Sequence, residues 1–376
     1  MKNKLILARN YLIHKVYKWI LKPILFQFDA ELVHDCFIKI GHFFGKYRIT
    51  RKICSIFFNY RNLSLVQDIK WITFKNPIGL AAGFDYEGNL TQTMPEVGFG
   101  FETIGTITNN PYEGNKKPRL GRLLKSRSLL VNKGFKNLGM EQTLKKLNGL
   151  NFKTPVGMSI GVTNTPTLSN QKEAILDIVE SFKKAEVSGI NFSYYELNIS
   201  CPNLQVSVEF YSPKSLEELL VAVTKDKLSK PLFIKMPIDK TDNEVFGMLE
   251  VIVKYPVLGV IFGNLQKNKK DPSLDPEEVG RFTKGNFSGK PTEKRSNELI
   301  SLAFKNYGEE LVIVGCGGVF NAEDAYKKIK LGASLVQMIT GMIFEGPQTI
   351  SDINLGLVKL LKKDGYKNIS EAVGKE

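Results

Sequence analysis

A chain of 376 residues, 43% hydrophobic and 24% charged, is neither disordered nor fibrous, and it can bury a large core without help from disulfides or metals. Its four cysteines, Cys36, Cys54, Cys201 and Cys316, are scattered and form no C-x-x-C pair, which excludes a disulfide scaffold and argues against a structural zinc site. The excess of 52 Lys and Arg over 38 Asp and Glu, a net +14, suits an anionic membrane surface, a nucleic acid or small anions, with a lysine-rich genome as the neutral alternative.

Basic residues crowd the start of the chain. Lys2, Lys4, Arg9, Lys15, Lys18 and Lys22 all precede the first acid, Asp29. Residues 4–22 read as a helix with Leu5, Leu12, Val16, Trp19 and Ile20 on its apolar side, and Pro23 is expected to break it. Asp29 is a fitting N-cap for a second helix that reaches about Phe44 and carries Leu32, Val33, Phe37, Ile40 and Phe43. No segment approaches the roughly 18 uninterrupted apolar residues of a membrane span. A secretory signal fits poorly, because charges interrupt the apolar stretch. Two amphipathic helices with basic flanks suit a bilayer interface; packing on the rest of the protein is the alternative.

From about Lys70 the pattern changes to short apolar runs separated by amphipathic stretches. The runs 78–82, 101–105, 156–160, 195–198, 232–236, 259–262, 311–314 and 335–339 read as buried parallel strands. Helical stretches between them include 171–187, 215–228, 297–306 and 322–330. Eight strand–helix units predict an α/β fold, a (β/α)8 TIM barrel, here with an N-terminal two-helix extension. A doubly wound sheet fits less well, since no glycine-rich fingerprint follows the first run. The expected division is 1–60 for the helical extension and 61–376 for the barrel.

Chemistry in such a barrel sits at the carboxyl ends of the strands. Lys235 stands there inside an apolar run, and an ammonium buried in it needs an anion or an electron-rich partner; a lysine snorkelling from a strand end is the plain alternative. Gly315, Gly317 and Gly318, with Thr340-Gly341 after the next run, resemble the phosphate cradle of many barrels, although tight turns want glycine anyway. A phosphate site beside a buried cation suits a phosphorylated cofactor with an electron-rich ring, and flavin mononucleotide (FMN) meets both demands. Asn132, Asn198, Asn203 and Asn264 are amides able to converge on one planar polar ligand, though each is also a common turn residue. The histidines, His14, His34 and His42, all lie in the first 45 residues, so if the active site lies elsewhere histidine is not its base. Cys201, among polar residues at a strand end, is the acid–base candidate; the bland reading is a small core hydrophobe.

The segments 76–85, 98–106, 115–120, 198–203 and 332–340, followed by Gly346-Pro347, resemble in order the motifs of dihydroorotate dehydrogenases. The resemblance implies oxidation of dihydroorotate to orotate in pyrimidine biosynthesis, with a base taking the C5 proton while hydride passes from C6 to FMN. By position it implies FMN contacts at Ala82, Gly83, Thr106, Ser159, Asn198, Lys235, Gly263, Gly289, Gly317, Gly318, Ile339 and Thr340. It further implies that Asn132, Gly134, Phe135, Asn198, Asn203 and Asn264 hold orotate, that Cys201 is the base, and that Lys235 stabilises reduced flavin.

Lys22 to Phe26, with Asp29, Glu31 and His34, resembles the membrane-attached branch, which passes electrons to quinone through a tunnel between N-terminal helices. That branch normally has serine as base; the soluble branches have cysteine. A reference cysteine pKa near 8.5 makes the exchange chemically easy, whereas the helices have no purpose in a soluble enzyme. The expected acceptor is therefore a membrane quinone, with peripheral attachment on the cytoplasmic side of a bacterial cell membrane and no required partner subunit. Lack of an Arg- and Ser-rich presequence ranks the mitochondrial inner membrane second. Fumarate as acceptor and an altered pyrimidine substrate are the alternatives, because several positions depart from the family pattern. Tyr86 replaces a lysine, Leu265 a threonine, the loop 161–164 lacks a lysine, and the segment 132–135 is one residue short. Each charged hydrogen bond lost to a carboxylated substrate weakens it by about 1–3 kcal/mol, so either Lys133 or Lys136 compensates or the substrate has changed. Nucleic-acid binding rests on net charge alone, since no RNA-binding motif accompanies it.

Overall fold

The computed structural model describes residues 2–205 and 208–376. Eight parallel strands close a barrel in chain order: β1 (Ile78–Leu80), β2 (Phe101–Ile107), β3 (Val156–Ile160), β4 (Tyr194–Asn198), β5 (Leu232–Met236), β6 (Val257–Phe262), β7 (Val312–Cys316) and β8 (Leu335–Met338). Closure is made by β8 on β1, Val336 opposite Ile78 and Met338 opposite Leu80. These strands are apolar almost throughout because one face fills the barrel and the other packs under helices. Every predicted run is a strand, two of them at their predicted bounds and the other six with ends moved by a residue or two. The helices Gln171–Val187 and Ala322–Lys330 keep their predicted bounds. The one expected at 215–228 is Pro213–Thr224, because Ser212 caps it by accepting from Ser215 N and Pro213 occupies its first turn.

An antiparallel pair, Gln67–Ile69 with Ile72–Phe74, covers the amino end of the barrel. The Phe74 ring meets Phe101 edge-on at 5.3 Å, and Tyr194, Phe233, Ile261 and Val314 pack with them. The lower barrel is thus solid, which leaves the carboxyl end for chemistry. Over that end stands a three-stranded antiparallel sheet of Leu120–Leu123, Ser128–Val131 and Asn286–Phe287. The sequence does not announce this sheet, because strands this short carry no readable alternation.

Helices α1 (Lys2–Val16), α2 (Ala30–Lys46) and α3 (Arg48–Phe58) precede the barrel. Contrary to expectation, Pro23 does not end the first helical segment. A π-helical turn, Tyr17–Leu21, lets the Lys22 N–H bond to Tyr17 O, and the chain continues helical through Lys22–Leu25. A wider turn before the proline relieves the clash that would break a regular helix. Asp29 caps α2 as expected, Oδ1 accepting from Leu32 N at 2.8 Å. The third helix, α3, adds to the two that the sequence pattern suggests. Close seating of α2 depends on Gly41 and Gly45, where a Cβ would fall 2.4 Å from Leu90 and 2.6 Å from Thr93. Asn10 pins α1 by donating to Asp352 Oδ1 at 2.8 Å, and Tyr17 OH donates to Ile343 O at 2.5 Å. Leu5, Leu12, Phe43 and Phe57 of these helices, Trp19 of the π-helical turn and Phe28 of the connection before α2 stay exposed. Among the described residues no helix is long and apolar enough to cross a membrane.

Candidate active site

Strand periodicity builds the floor of the site. Residues two apart share a face, so β4 turns Glu196 and Asn198 inward together, beside Lys235 of β5. Lys235 Nζ lies 3.6 Å from Glu196 Oε1, both side chains buried. Asn198 Nδ2 donates to Thr106 Oγ1 at 2.8 Å, Thr106 Oγ1 lies 2.9 Å from Ser159 Oγ, and Ser159 Oγ donates to Glu196 Oε1 at 3.0 Å. The carboxylate can only accept, so it fixes the donor at every step of this chain. Burial opposes the Lys235 ammonium, but Glu196, Cys316 and Cys201 outweigh it and hold its pKa above the ordinary lysine value.

Above the floor is a cavity whose wall includes Ala82, Gly83, Tyr86, Thr106, Lys133, Gly134, Phe135, Asn198, Cys201, Asn203, Lys235, Asn264, Leu265, Ile339 and Thr340. A recess adjoins it, walled by Gly263, Gly289, Thr292, Gly317, Gly318 and Gly341, and it shares Ala82, Lys235, Asn264, Leu265, Ser288, Ile339 and Thr340 with the cavity. Gly317 and Gly318 have φ of 92° and 72°. A Cβ on them would fall 2.2 Å from Thr292 Oγ1 and 2.3 Å from Glu293 Cβ, so only glycine forms this turn. Ser288 Oγ and Thr340 Oγ1 lie 2.8 Å apart at its edge. A glycine cradle edged with hydroxyls and joined to a cavity floored by a buried cation fits a phosphorylated planar cofactor.

Of the residues expected around FMN, Ser159 lies beneath the wall and reaches it through Thr106; the others line the cavity or the recess. Of those expected around orotate, Asn132 stands behind the wall, its Oδ1 accepting from Asn115 Nδ2 at 3.0 Å. The other amides are held in fixed orientations. Asn264 Nδ2 donates to Ser200 O at 2.7 Å, Asn203 Nδ2 donates to Val131 O at 3.1 Å, and Asn203 Oδ1 accepts from Asn286 Nδ2 at 2.7 Å. Cys201 sits at the wall, and burial pushes its thiol up to about 12, against the pull of the Asn203 N–H, Lys235 and Lys267. Sequence reasoning missed Glu196, although a carboxylate inside an apolar run is the same signal that exposes Lys235. It also missed Ser288 and Thr292, which lie on a connection without periodic pattern. No cluster of His, Cys, Asp or Glu able to hold a metal occurs among the described residues.

Tyr86 carries Lys133 on its face, Nζ 4.5 Å from the ring centroid. The same ammonium donates to Glu31 Oε1 of α2 at 3.2 Å, an oxygen that also accepts from Arg119 and Lys136 at 3.1 and 3.4 Å. Burial alone would raise the Glu31 pKa, but these three cations outweigh it and hold it below the usual carboxylate value. A third cavity, almost wholly apolar, lies between the N-terminal helices and the barrel. Val33, Phe37, Phe44, Phe58, Met94 and Met342 line it, with Arg122 among its few polar members. It meets the polar cavity along His34, Phe84, Leu120, Leu129 and Ile343, which belong to both.

A closed barrel with a glycine cradle, an ion-paired lysine on its floor and amides at its mouth defines a (β/α)8 enzyme with its site at the carboxyl end of the strands. The family model for dihydroorotate dehydrogenase matches residues 64–361, and the chain belongs to that family, a flavin-dependent one. It is 36% identical to a dihydroorotate dehydrogenase (quinone) of Sulfurovum sp. over 94% of this chain and 96% of that one. A dihydroorotate dehydrogenase (quinone) of Trichodesmium erythraeum is 32% identical over 96% of this chain and 98% of its own length. The fold is similar to a crystal structure of DHODH from Eimeria tenella in complex with ferulenol, with a TM-score of 0.79, 26% identity, and coverage of 92% of this chain and 95% of that one.

Proposed function

We propose that this chain oxidises dihydroorotate to orotate in pyrimidine biosynthesis and passes the electrons to a quinone. The observation that carries this is the common wall of two chemically different cavities, one with amides and cations in its wall, the other lined almost wholly by aliphatic and aromatic side chains. A polar donor and a lipophilic acceptor can each be desolvated in surroundings that match them. Fumarate, a dicarboxylate, would find few partners in the apolar cavity, where its desolvation is costly.

FMN is the flavin whose phosphate suits Gly317, Gly318, Ser288 and Thr340 and whose ring end suits Thr106, Asn198 and Lys235. When bound, it supplies the hydride acceptor of the oxidation. Asn198, Asn203 and Asn264 hold the pyrimidine, their amides already oriented by Thr106, Val131 and Ser200. Cys201 takes the proton from C5, and the positive charges of Lys235 and Lys267 favour the thiolate that does so. Lys235 keeps a positive charge on the cavity floor. Residues 1–60 wall the acceptor cavity and meet the membrane, and residues 61–376 form the catalytic barrel. Exposed Trp19, Phe28 and Phe43 amid lysines support peripheral attachment, assigned to the cytoplasmic side of a bacterial cell membrane. The chain needs no partner subunit.

Anaerobic mixing of the purified, flavin-loaded protein with dihydroorotate tests the reaction. Flavin absorbance is expected to bleach and to recover on adding a quinone, not on adding fumarate. A flavin that stays oxidised overturns the substrate; recovery with fumarate overturns the acceptor.

A further inference from the structure

The mouth of the polar cavity carries a cation without a full complement of acceptors. Arg119, Lys133 and Lys136 share one oxygen of Glu31. A second carboxylate whose field reaches Lys133, Asp35, is engaged with His34 at 3.2 Å and is 45% exposed. Three cations thus face two acids. Lys133 is the most enclosed of the three, its side chain 6% exposed against 17% for Arg119 and 30% for Lys136. Among the described residues, Glu31 is the one hydrogen-bond acceptor of its ammonium, which has three N–H groups. Tyr86 supplies a ring face beneath it and no charge.

The backbone holds this group in place. Gly134 and Phe135 have φ of 65° and 64°, and a left-handed phenylalanine is a conformation that surroundings must impose. The tight turn keeps Lys133 in the cavity wall while Asn132 is drawn back to Asn115. Lys136 is open enough to solvent for its field to be screened. Lys235 is committed to Glu196.

We infer that Lys133, anchored by Glu31 and seated on Tyr86, binds the carboxylate of the pyrimidine substrate. The inference rests on the substrate proposed above and names the group that recognises its charge. A desolvated, pre-positioned ammonium discriminates strongly between a carboxylate and a neutral isostere. Because its anchor comes from α2, substrate recognition depends on the docking of the N-terminal helices.

Orotate and its uncharged carboxamide are titrated into flavin-loaded protein, with flavin absorbance as the signal, for the unaltered chain, Lys133→Met and Lys133→Arg. Lys133→Met is expected to weaken orotate by about tenfold or more, the scale of one charge-assisted hydrogen bond, and the carboxamide by less than about threefold. Lys133→Arg should keep most of the preference for the carboxylate. If Lys133→Met releases the flavin, Lys133→Gln, which retains a hydrogen bond to Glu31 without the charge, carries the same expectation. Equal weakening of both ligands, or of neither, overturns the inference. A flavin in the unaltered protein that dihydroorotate does not bleach overturns the proposed substrate, and this inference with it.

Discussion

Lys235 Nζ and Glu196 Oε1 lie 3.6 Å apart inside the barrel, their side chains 5% and 0% exposed. A pair removed so fully from water holds only while its other lone pairs are satisfied. Ser159 Oγ and Gln337 Nε2 do this for Glu196 at 3.0 and 3.4 Å. Deleting one charge leaves the other buried alone, which destabilises by about 3–5 kcal/mol. Glu196→Gln is therefore expected to lower the melting temperature and loosen the flavin, measured by thermal unfolding and by cofactor release. An unchanged melting temperature with full flavin retention would mean that Lys235 finds its counter-charge elsewhere.

As the proposed base, Cys201 is expected to set the pH dependence of substrate oxidation. Its thiol, pushed up to about 12 by burial, is protonated at neutral pH, and only the thiolate can act as base. Below that pKa the thiolate fraction grows about tenfold per pH unit, so the rate of flavin reduction rises with pH through the neutral and mildly alkaline range. Cys201→Ala should retain the flavin and slow its reduction by at least about a hundredfold, the loss expected of a general base. Stopped-flow reduction across pH checks both; a flat profile, or an unslowed variant, removes Cys201 from the proton transfer.

The sequence exposes the barrel because parallel strands buried on both faces are written as continuous apolar runs, and β3 and β5 are found at their predicted bounds. Lys235 is legible for the same reason, a polar residue in an apolar run. What stays hidden depends on contacts between distant segments. Asn132 is withdrawn from the cavity by Asn115, and Lys133 is brought to Tyr86 by a carboxylate on α2; neither pairing has a local pattern. The sheet over the mouth is hidden by its short strands, and the continuation past Pro23 by a π-turn that composition does not encode.

The apolar cavity gives a separation of the two half-reactions. Val33 of α2 lines it but does not belong to the polar cavity. Val33→Trp fills part of the volume with indole, and overpacking an apolar site typically costs about 1–3 kcal/mol. Reoxidation of reduced flavin by quinone is expected to slow by about tenfold or more, since 1.4 kcal/mol corresponds to a factor of ten. Bleaching by dihydroorotate should keep its rate. Following each half-reaction separately by flavin absorbance distinguishes the cases. Equal slowing of both would show that the cavity is not the acceptor's route.

The outer surface of the N-terminal helices should govern membrane binding. Trp19 is 67% and Phe43 54% exposed, and Lys15 Nζ lies 5.9 Å from the Trp19 ring, a pairing of aromatic and cation suited to the headgroup region. Inserting a phenylalanine-sized side chain into an apolar phase is worth about 1.5–3 kcal/mol. Phe43→Glu and Trp19→Glu are each expected to weaken sedimentation with anionic vesicles by about tenfold or more. Added salt should weaken binding of the unaltered protein as well, because the lysine contribution is screened beyond about 10 Å at 0.1 M. Bleaching by dihydroorotate in solution should be untouched, since neither residue lines the polar cavity. Vesicle binding that ignores both substitutions would move the attachment surface away from these helices.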